Sequence, residues 1–238
     1  MKRRFVDAAI QFSQEDHFKD ICRMAAMLGY SGICIENLKS KDAIDRHTDA
    51  KTIKIWSRKT LRGSIGKVKN ALGHERRKHH LISILAEEQD LAKWAARDQR
   101  VDCILVPLSS IDKVIDVPFV KLAATHRKAL EIHLHDILKA TESRRVGLLR
   151  NLHKALAKAR QRSCQILMGS GTSKSVHMRA PRDMAALLET VGLNYEDALE
   201  TIAKVPLTIL ERNEQRLLPS FIAPGVTTSR TKEEIEFP

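Results

Sequence analysis

The chain is 238 residues long, with 43% hydrophobic and 29% charged residues, which is enough for one sizeable folded core. Its 41 Lys and Arg residues exceed its 29 Asp and Glu residues, so the formal net charge is +12 and the first partner to consider is nucleic acid or another polyanion. The apolar run in the N-terminal segment MKRRFVDAAIQFSQED is interrupted within a few positions, so we expect neither a secretory signal nor a membrane span.

Short apolar runs alternate with longer segments of helical period along most of the chain. Seven runs predict strands, at 5–10, 32–37, 52–57, 81–86, 103–108, 129–134 and 165–170. Amphipathic segments between them predict helices, at 16–28, 89–100, 118–128 and 143–163. Residues 38–51 are polar and predict a loop. Beyond residue 181 the pattern is mostly helical, with a helix stop, a helix cap and a helix-opening proline at Gly192, Asn194 and Pro206.

This order of elements indicates an α/β fold with a parallel sheet, because parallel neighbours need a long return connection that is usually a helix. No Gly/Pro-rich linker divides the chain, so we predict one domain over 1–238, with a flexible tail at 227–238. A TIM-barrel-like (β/α) barrel with about seven parallel strands, outer helices and extra C-terminal helices fits better than an open sheet of two halves, which stays an alternative.

The four cysteines are far apart in the sequence and form no CxxC pair. Each stands in or beside an apolar run, at Cys22, Cys34, Cys103 and Cys164. This usage indicates reduced, mostly buried thiols in a cytoplasmic protein.

The positive charge is concentrated in two windows. Residues 51–80 hold ten Lys or Arg residues and one acid, a charge of +9, and residues 143–163 hold seven and no acid, a charge of +7. In the second window a predicted buried stripe consists of Leu149, Leu152, Leu156 and Ala159. A ribbon of cations beside it consists of Arg150, Lys154, Lys158 and Arg162. The ribbon suits a phosphate backbone or an acidic partner protein, and it is equally explained as the solvated face of an outer helix.

The first window favours phosphate contact through counterion release, with a solvated loop as the plain alternative. Trp56 is the single nearby aromatic ring, so we expect recognition of the backbone and shape of folded RNA rather than base stacking on single strands. The predicted RNA-binding residues in this window are Arg58, Lys59, Arg62, Lys67, Lys69, Arg76, Arg77 and Lys78.

The segment GSGTSKSVHMRAPRD, residues 169–183, follows the seventh predicted strand. It lacks the glycine that a Walker A loop places before its lysine, and it is not a GxSxG nucleophile elbow. Barrels often hold phosphate at this position, where the free N–H groups of the next helix attract anions. An ordinary strand-to-helix turn, with Pro181 at the first helical position, explains the same residues. We predict that the turn holds an RNA phosphate with its backbone amides and with Ser170, Lys174, His177, Arg179 and Arg182.

Glu131, His133 and His135 share one side of the sixth predicted strand. Such a set binds a metal ion in some proteins and forms a satisfied hydrogen-bond network inside the barrel in others. The main rival function is therefore a metal-dependent phosphoesterase that uses Asp7 with these three residues. A basic protein-interaction scaffold is a third hypothesis.

The run ILMGSGTSKSVHMRAPRDMAALLETVGLNYEDALETIAKVPLTILERN, residues 166–213, resembles the signature region of the archaeal ribonuclease P protein component three family. In that family a strand ending in SSGA-like residues leads to an R-x-P-R-D helix, a G-L segment, an alanine-rich helix and a V-P-x-x-I-L-x-R-N close. The turn Gly169-Ser170-Gly171-Thr172 departs from the usual double serine. The matching residues are Arg179, Pro181, Arg182, Asp183, Gly192, Leu193, Pro206, Arg212 and Asn213. Two further segments, ALEIHLHDIL and FIAPGV (221–226), also resemble the family, whereas the first 100 residues agree mainly in rhythm.

The resemblance implies a barrel subunit of the ribonucleoprotein that removes the 5′ leader from precursor tRNA. The RNA subunit would perform the hydrolysis with Mg²⁺, so the chain itself would have no catalytic residue, metal or cofactor. Its partners would be ribonuclease P RNA, precursor tRNA, ribonuclease P protein component two and the other protein subunits. The residues agree with this role, because a protein-only nuclease needs several carboxylates converging on metal ions and the predicted strand ends offer lone acids such as Glu36, Glu87 and Asp136.

Overall fold

The computed structural model describes residues 3–11, 16–38, 53–218, 220–223 and 226–227. Apart from Leu38, the predicted loop at 38–51 lies outside these ranges, and so does the predicted tail at 227–238 apart from Thr227. Among the described residues, no helix is both long and apolar enough to cross a membrane.

Seven parallel strands form one sheet in which the spatial order equals the order in the chain. They are β1 (Val6–Ile10), β2 (Gly32–Glu36), β3 (Lys54–Leu61), β4 (Leu81–Leu85), β5 (Cys103–Leu105), β6 (Ala129–His133) and β7 (Gln165–Gly169). The helices that follow β1 to β6 are α1 (Asp16–Met27), α2 (Ile65–Glu75), α3 (Gln89–Arg97), α4 (Ile111–Val114), α5 (Val117–Thr125), α6 (Leu134–Lys139) and α7 (Glu142–Gln161).

The C-terminal part continues with helices outside the sheet. A 3₁₀ turn at Ser175–His177 leads to α8 (Pro181–Thr190), α9 (Tyr195–Glu200) and α10 (Lys204–Arg216), and these are followed by a small antiparallel pair, β8 (Phe221–Ala223) and β9 (Val226–Thr227). Asn194 caps α9 by accepting a hydrogen bond from the Asp197 backbone N–H at 2.8 Å, which confirms the predicted cap.

Both faces of most strands are buried, and β1, β2 and β6 are buried along their whole length. One face packs against the surrounding helices, and the other fills the barrel. We call the end of the barrel where the strands start the floor, and the opposite end the mouth. A cluster of buried apolar side chains inside the barrel, the inner cluster, includes Val6, Leu81 and Leu167. Ile209 and Leu210 of α10 pack into the inner cluster and close the floor.

The barrel has a seam between β7 and β1, where a (β/α)₈ barrel would have its eighth strand. The backbone of residues 201 and 202 bridges the seam, because Val6 donates to the Ile202 carbonyl at 2.9 Å and Met168 donates to the Thr201 carbonyl at 3.2 Å. Near the mouth Gly171 donates to the Ala9 carbonyl at 2.9 Å. The predicted barrel of about seven parallel strands is therefore confirmed.

Two elements differ from the sequence prediction. β3 extends to Leu61 instead of ending at residue 57, because its polar continuation from Arg58 onward points partly into the barrel, where ion pairs satisfy it. The basic run from residue 66 begins in α2, whose buried face is formed by Val68 and Leu72, and is not a loop throughout. The four cysteines are free and buried, as predicted, and burial raises the pKa of Cys22 to about 11.

Candidate nucleic-acid interface

The segment 169–183 runs from the last residue of β7 into the first turn of α8, and we call it the β7–α8 loop. Its glycines fix it to the seam. A Cβ atom at Gly169 would lie 2.4 Å from the Ala9 Cβ, and one at Gly171 would lie 2.7 Å from the His133 Cβ. Gly171 also has a φ of +66°, a conformation that favours glycine. The two glycines let the loop cross the seam in close contact with β1 and β6, so the loop sits on a rigid base at the mouth.

Ser170 is part of this loop, directly follows β7 and is 1% exposed. Its backbone N–H donates to Asp7 Oδ1 at 2.9 Å, and its carbonyl accepts from the His135 N–H at 2.9 Å. Burial raises the pKa of Asp7, although hydrogen bonds from Ser170 and Ala9 offset part of that effect. The predicted phosphate contact by Ser170 does not fit its position, since the residue holds the seam together instead of facing solvent.

The charged residues of the β7–α8 loop remain accessible. Lys174 and Arg182 are exposed, and Arg179 is half-buried, with Nη1 donating to the Met178 carbonyl at 2.7 Å and to the Val176 carbonyl at 3.1 Å. Tyr30 fixes the same segment by donating to the Arg179 carbonyl at 2.9 Å. Within the described ranges, Lys174, Arg179 and Arg182 have no acidic partner. The structure thus presents three uncompensated cations on an anchored loop.

His177 is the remaining predicted residue of this loop, and it is half-buried beside α6. Its ring centroid lies 6.1 Å from that of His135. Burial, followed by the charges of nearby cationic groups that include Lys139 and His177, lowers the pKa of His135. His135 therefore faces the loop rather than the barrel interior.

A second exposed group of predicted residues lies at the end of β3 and along α2. Arg62, Lys67 and Lys69 are exposed, and Lys59 is half-buried and donates to Asn37 Oδ1 at 2.6 Å. Lys59 and Arg62 line a cavity of about 410 Å³ at the mouth. None of these four cations forms an ion pair with an acid that the structure describes. Strands β1 and β2 lie between this group, at the end of β3, and the β7–α8 loop, which follows β7.

Arg58 does not belong to this surface. Its side chain is 0% exposed inside the barrel, with Nη1 2.8 Å from Glu131 Oε1 and Nε 3.2 Å from Glu36 Oε2. The predicted RNA contact by Arg58 is inconsistent with this position, because both of its neighbouring carboxylates neutralise it and no solvent reaches it.

Arg76 is also committed to internal contacts, and these lie at the floor. It pairs with Asp102 at 2.5 Å and donates to the His79 carbonyl at 2.8 Å, and its side chain is 15% exposed. The neighbouring Arg77 is exposed, while Lys78 pairs with Glu75 at 3.4 Å. The basic run 76–78 therefore holds one structural cation, one weakly paired cation and one that stays uncompensated by any described acid.

The Glu131 and His133 side chains contact each other, with His133 Nε2 2.7 Å from Glu131 Oε1. Ser83 donates to the other oxygen of Glu131, so this carboxylate is saturated by Arg58, His133 and Ser83. Asp7 is turned towards Ser170 and His135 towards the loop. The four-residue ligand set of the phosphoesterase hypothesis is not brought together, and the described residues contain no group of three His, Cys, Asp or Glu side chains that could hold a metal ion.

The basic helix α7 is an outer helix of the barrel. Its buried stripe consists of Leu148, Leu152, Ala155, Leu156 and Ala159, while Leu149 is half-buried rather than buried as predicted. Two members of the predicted ribbon approach Asp112, Lys154 at 3.4 Å and Lys158 at 3.6 Å. Two of the four ribbon cations therefore share one carboxylate of the same chain.

Comparison with known proteins gives a consistent family assignment. The family described as RNase P subunit p30 matches residues 4–218. The chain is similar to ribonuclease P protein component 3 of Halobacterium salinarum, with 29% identity over 88% of this chain and 90% of the relative. It is also similar to ribonuclease P protein component 3 of Methanosarcina barkeri, with 26% identity over 89% of each chain.

The fold has a counterpart among solved structures. A chain in the cryo-EM structure of archaeal ribonuclease P with mature tRNA superposes with a TM-score of 0.81, covering 95% of this chain and 100% of that chain at 18% identity. At this identity the likeness describes the fold.

Proposed function

The chain belongs to the RNase P subunit p30 family and is therefore a protein subunit of ribonuclease P, and we propose that it binds and stabilises the RNA subunit for removal of the 5′ leader from precursor tRNA. The phosphodiester hydrolysis would belong to the RNA with its Mg²⁺ ions, and the chain would contribute positive charge. The RNA, precursor tRNA, ribonuclease P protein component two and the other protein subunits are its partners in this proposal, with the cytoplasm as its location.

One observation carries the RNA-binding proposal, and it is the set of uncompensated cations on the β7–α8 loop. Many cations elsewhere are paired with acids of the same chain, whereas Lys174, Arg179 and Arg182 form no ion pair with a described acid. Phosphate oxygens accept hydrogen bonds from Lys and Arg more strongly than neutral acceptors do, and contacts of this kind fix the position of a protein on RNA. The rigid base under the loop means that little conformational freedom is lost when the loop binds.

The β3–α2 cations support a second contact on the same molecule. This group consists of Lys59, Arg62, Lys67 and Lys69 and lies away from the β7–α8 loop. The two groups can therefore contact different parts of the RNA. Low aromatic content, 4% of the chain, favours recognition of backbone and shape over base stacking.

Reconstitution tests the proposed function. Cleavage of precursor tRNA is measured with the cognate RNA and partner subunits, at several Mg²⁺ concentrations, with and without this chain. We expect omission to lower the cleavage rate most strongly at modest Mg²⁺, because the protein charge then has to be replaced by cations. Equal rates at every Mg²⁺ concentration would contradict the proposal. Stoichiometric Zn²⁺ or Mn²⁺ in the isolated chain, with phosphatase activity lost in His133→Ala, would instead support the phosphoesterase.

A further inference from the structure

The floor of the barrel carries a guanidinium cluster built on one carboxylate. Asp102, which precedes β5 and is 2% exposed, accepts hydrogen bonds from Arg212 Nη2 at 2.7 Å and Asn213 Nδ2 at 2.9 Å through Oδ1, and from the Ile82 N–H at 2.9 Å through Oδ2. Arg76 pairs with Oδ2. One negative charge thus positions two guanidinium groups that come from distant parts of the chain.

Arg216 extends this cluster to the surface. It lies one turn after Arg212 on α10, is exposed, and makes one long hydrogen bond, 3.5 Å from Nη1 to Asn213 Oδ1. Burial lowers the pKa of Arg216, and the charges of Arg212 and Arg76 lower it further. Arg216 therefore stands in the positive field of its neighbours without an acid of its own among the described residues.

The cluster carries more positive than negative charge. Several other cations of the floor are paired with acids of the same chain, in the pairs Arg3–Glu196, Arg4–Glu211, Lys54–Glu214, Lys78–Glu75 and Arg100–Asp98. Asp102 is shared by Arg76 and Arg212, and the exposed Arg77 and Arg216 add two more positive charges. Four guanidinium groups against one carboxylate leave a focused surplus of three charges.

Guanidinium groups suit phosphate because their planar N–H fork matches its oxygens. Pairing with Asp102 holds Arg212 in a fixed orientation, which reduces the conformational freedom that this residue would lose on binding. The floor cluster, defined as Arg77, Arg212 and Arg216, lies at the end of the barrel opposite the β7–α8 loop. We propose that the floor cluster binds the phosphate backbone of ribonuclease P RNA at a second place, so that the subunit contacts two separate RNA segments from the two ends of the barrel. This inference rests on the proposed function.

Footprinting of the RNA in the assembled particle tests the inference. Hydroxyl-radical protection is compared for wild type, the floor variant Arg77→Ala/Arg216→Ala, the loop variant Lys174→Ala/Arg182→Ala, and the control Arg3→Ala/Arg4→Ala. The control removes the same charge from the same end of the barrel, from residues that are paired. Arg212 is left intact because it contacts Asp102, and unfolding midpoints check that the floor variant is folded.

We expect the floor variant to lose protection of one RNA segment that the loop and control variants retain, and its affinity to have a salt slope shallower by about two. Retention of every wild-type protection by a folded floor variant would overturn the inference, as would loss of a crosslink to a protein subunit without any change in the RNA footprint. If the wild-type chain protects no RNA at all, the proposed function itself fails, which is a distinct result.

Discussion

Arg58 Nη1 and Glu131 Oε1 lie 2.8 Å apart inside the barrel, and neither side chain has any exposed surface. Burial alone would raise the pKa of Glu131, but the charges of Arg58 and His133, with their hydrogen bonds, hold it below its usual range. Glu36 is the second acid on Arg58. The most deeply placed cation of the basic window 51–80 therefore belongs to the polar centre of the barrel and not to its RNA-facing surface.

Arg58→Met should destabilise the fold by about 3–5 kcal/mol, because it leaves two carboxylates in the barrel without their cation. Adding Glu131→Gln should recover part of this loss, since one of the two stranded charges is then removed. Urea unfolding of the two single variants, the double variant and wild type measures the coupling. A loss below about 1 kcal/mol in Arg58→Met would show that the pair is solvated or replaceable.

Gly169→Ala should destabilise the chain by about 1–3 kcal/mol, because the added Cβ would lie 2.4 Å from the Ala9 Cβ at the seam. The matched control is Gly147→Ala in α7, where an added Cβ meets nothing within 4 Å. That control should stabilise by about 0.5–1 kcal/mol through helix propensity. Thermal unfolding of both variants checks the prediction, and a Gly169→Ala protein as stable as wild type would mean that the seam is not tightly closed.

Asp7 should make stability fall as the pH rises. Its Oδ2 is buried without a hydrogen-bond partner in the described structure, and burial raises its pKa. Between the unfolded pKa of about 3.9 and the raised folded pKa, the folded state holds more protons than the unfolded state, so this contribution is present at low pH and lost as pH increases. The Asp7→Asn side chain does not ionise, so the variant does not lose stability through this group as the pH rises. Its stability relative to wild type should increase from about pH 4 to neutral pH, and a difference independent of pH would contradict this account.

Arg76→Ala and Arg77→Ala should behave differently although they are adjacent. Arg76→Ala removes a partner of the buried Asp102 and should cost about 3 kcal/mol of unfolding free energy. Arg77 is exposed, and its replacement should stay within about 0.5 kcal/mol of wild type. Denaturant unfolding of the two single variants measures this difference. A variant that replaces both residues would lose stability as well as charge, so its RNA affinity would not report on RNA contact alone. Equal losses in both variants would refute the division of roles.

The barrel was predictable from sequence because most of its strands contain an apolar run followed by a long return segment, and strands buried on both faces leave that signature. The caps and stops of the C-terminal helices were predictable for a similar reason, since Asn194 acts on its own neighbours. The extra length of β3 was not, because Arg58 and Thr60 are polar residues whose partner, Glu36, lies more than twenty residues away.

The sequence was sufficient to identify basic residues of the candidate site, but not to tell which of them are exposed and which are paired inside the protein. Sequence identified the β7–α8 loop and its cations, and Lys174 and Arg182 are exposed there. It did not distinguish Arg76 from Arg77, because the difference depends on Asp102, which is 26 residues away and follows no local motif. Arg216 was missed for a similar reason, since its surroundings include Asp102 and Arg76 from distant parts of the chain as well as Arg212 from its own helix.

The salt dependence of RNA affinity tests the central claim most directly. The affinity of the chain, with its partner subunits, for ribonuclease P RNA is measured across a salt series for wild type, for Lys174→Ala/Arg182→Ala, and for the charge-matched control Arg3→Ala/Lys204→Ala, whose cations are paired with Glu196 and Glu200. The account predicts weaker binding and a slope of log affinity against log salt that is shallower by about two in the loop variant, with the control close to wild type. A loop variant with the wild-type affinity and slope, or a control that loses as much as the loop variant, would contradict it.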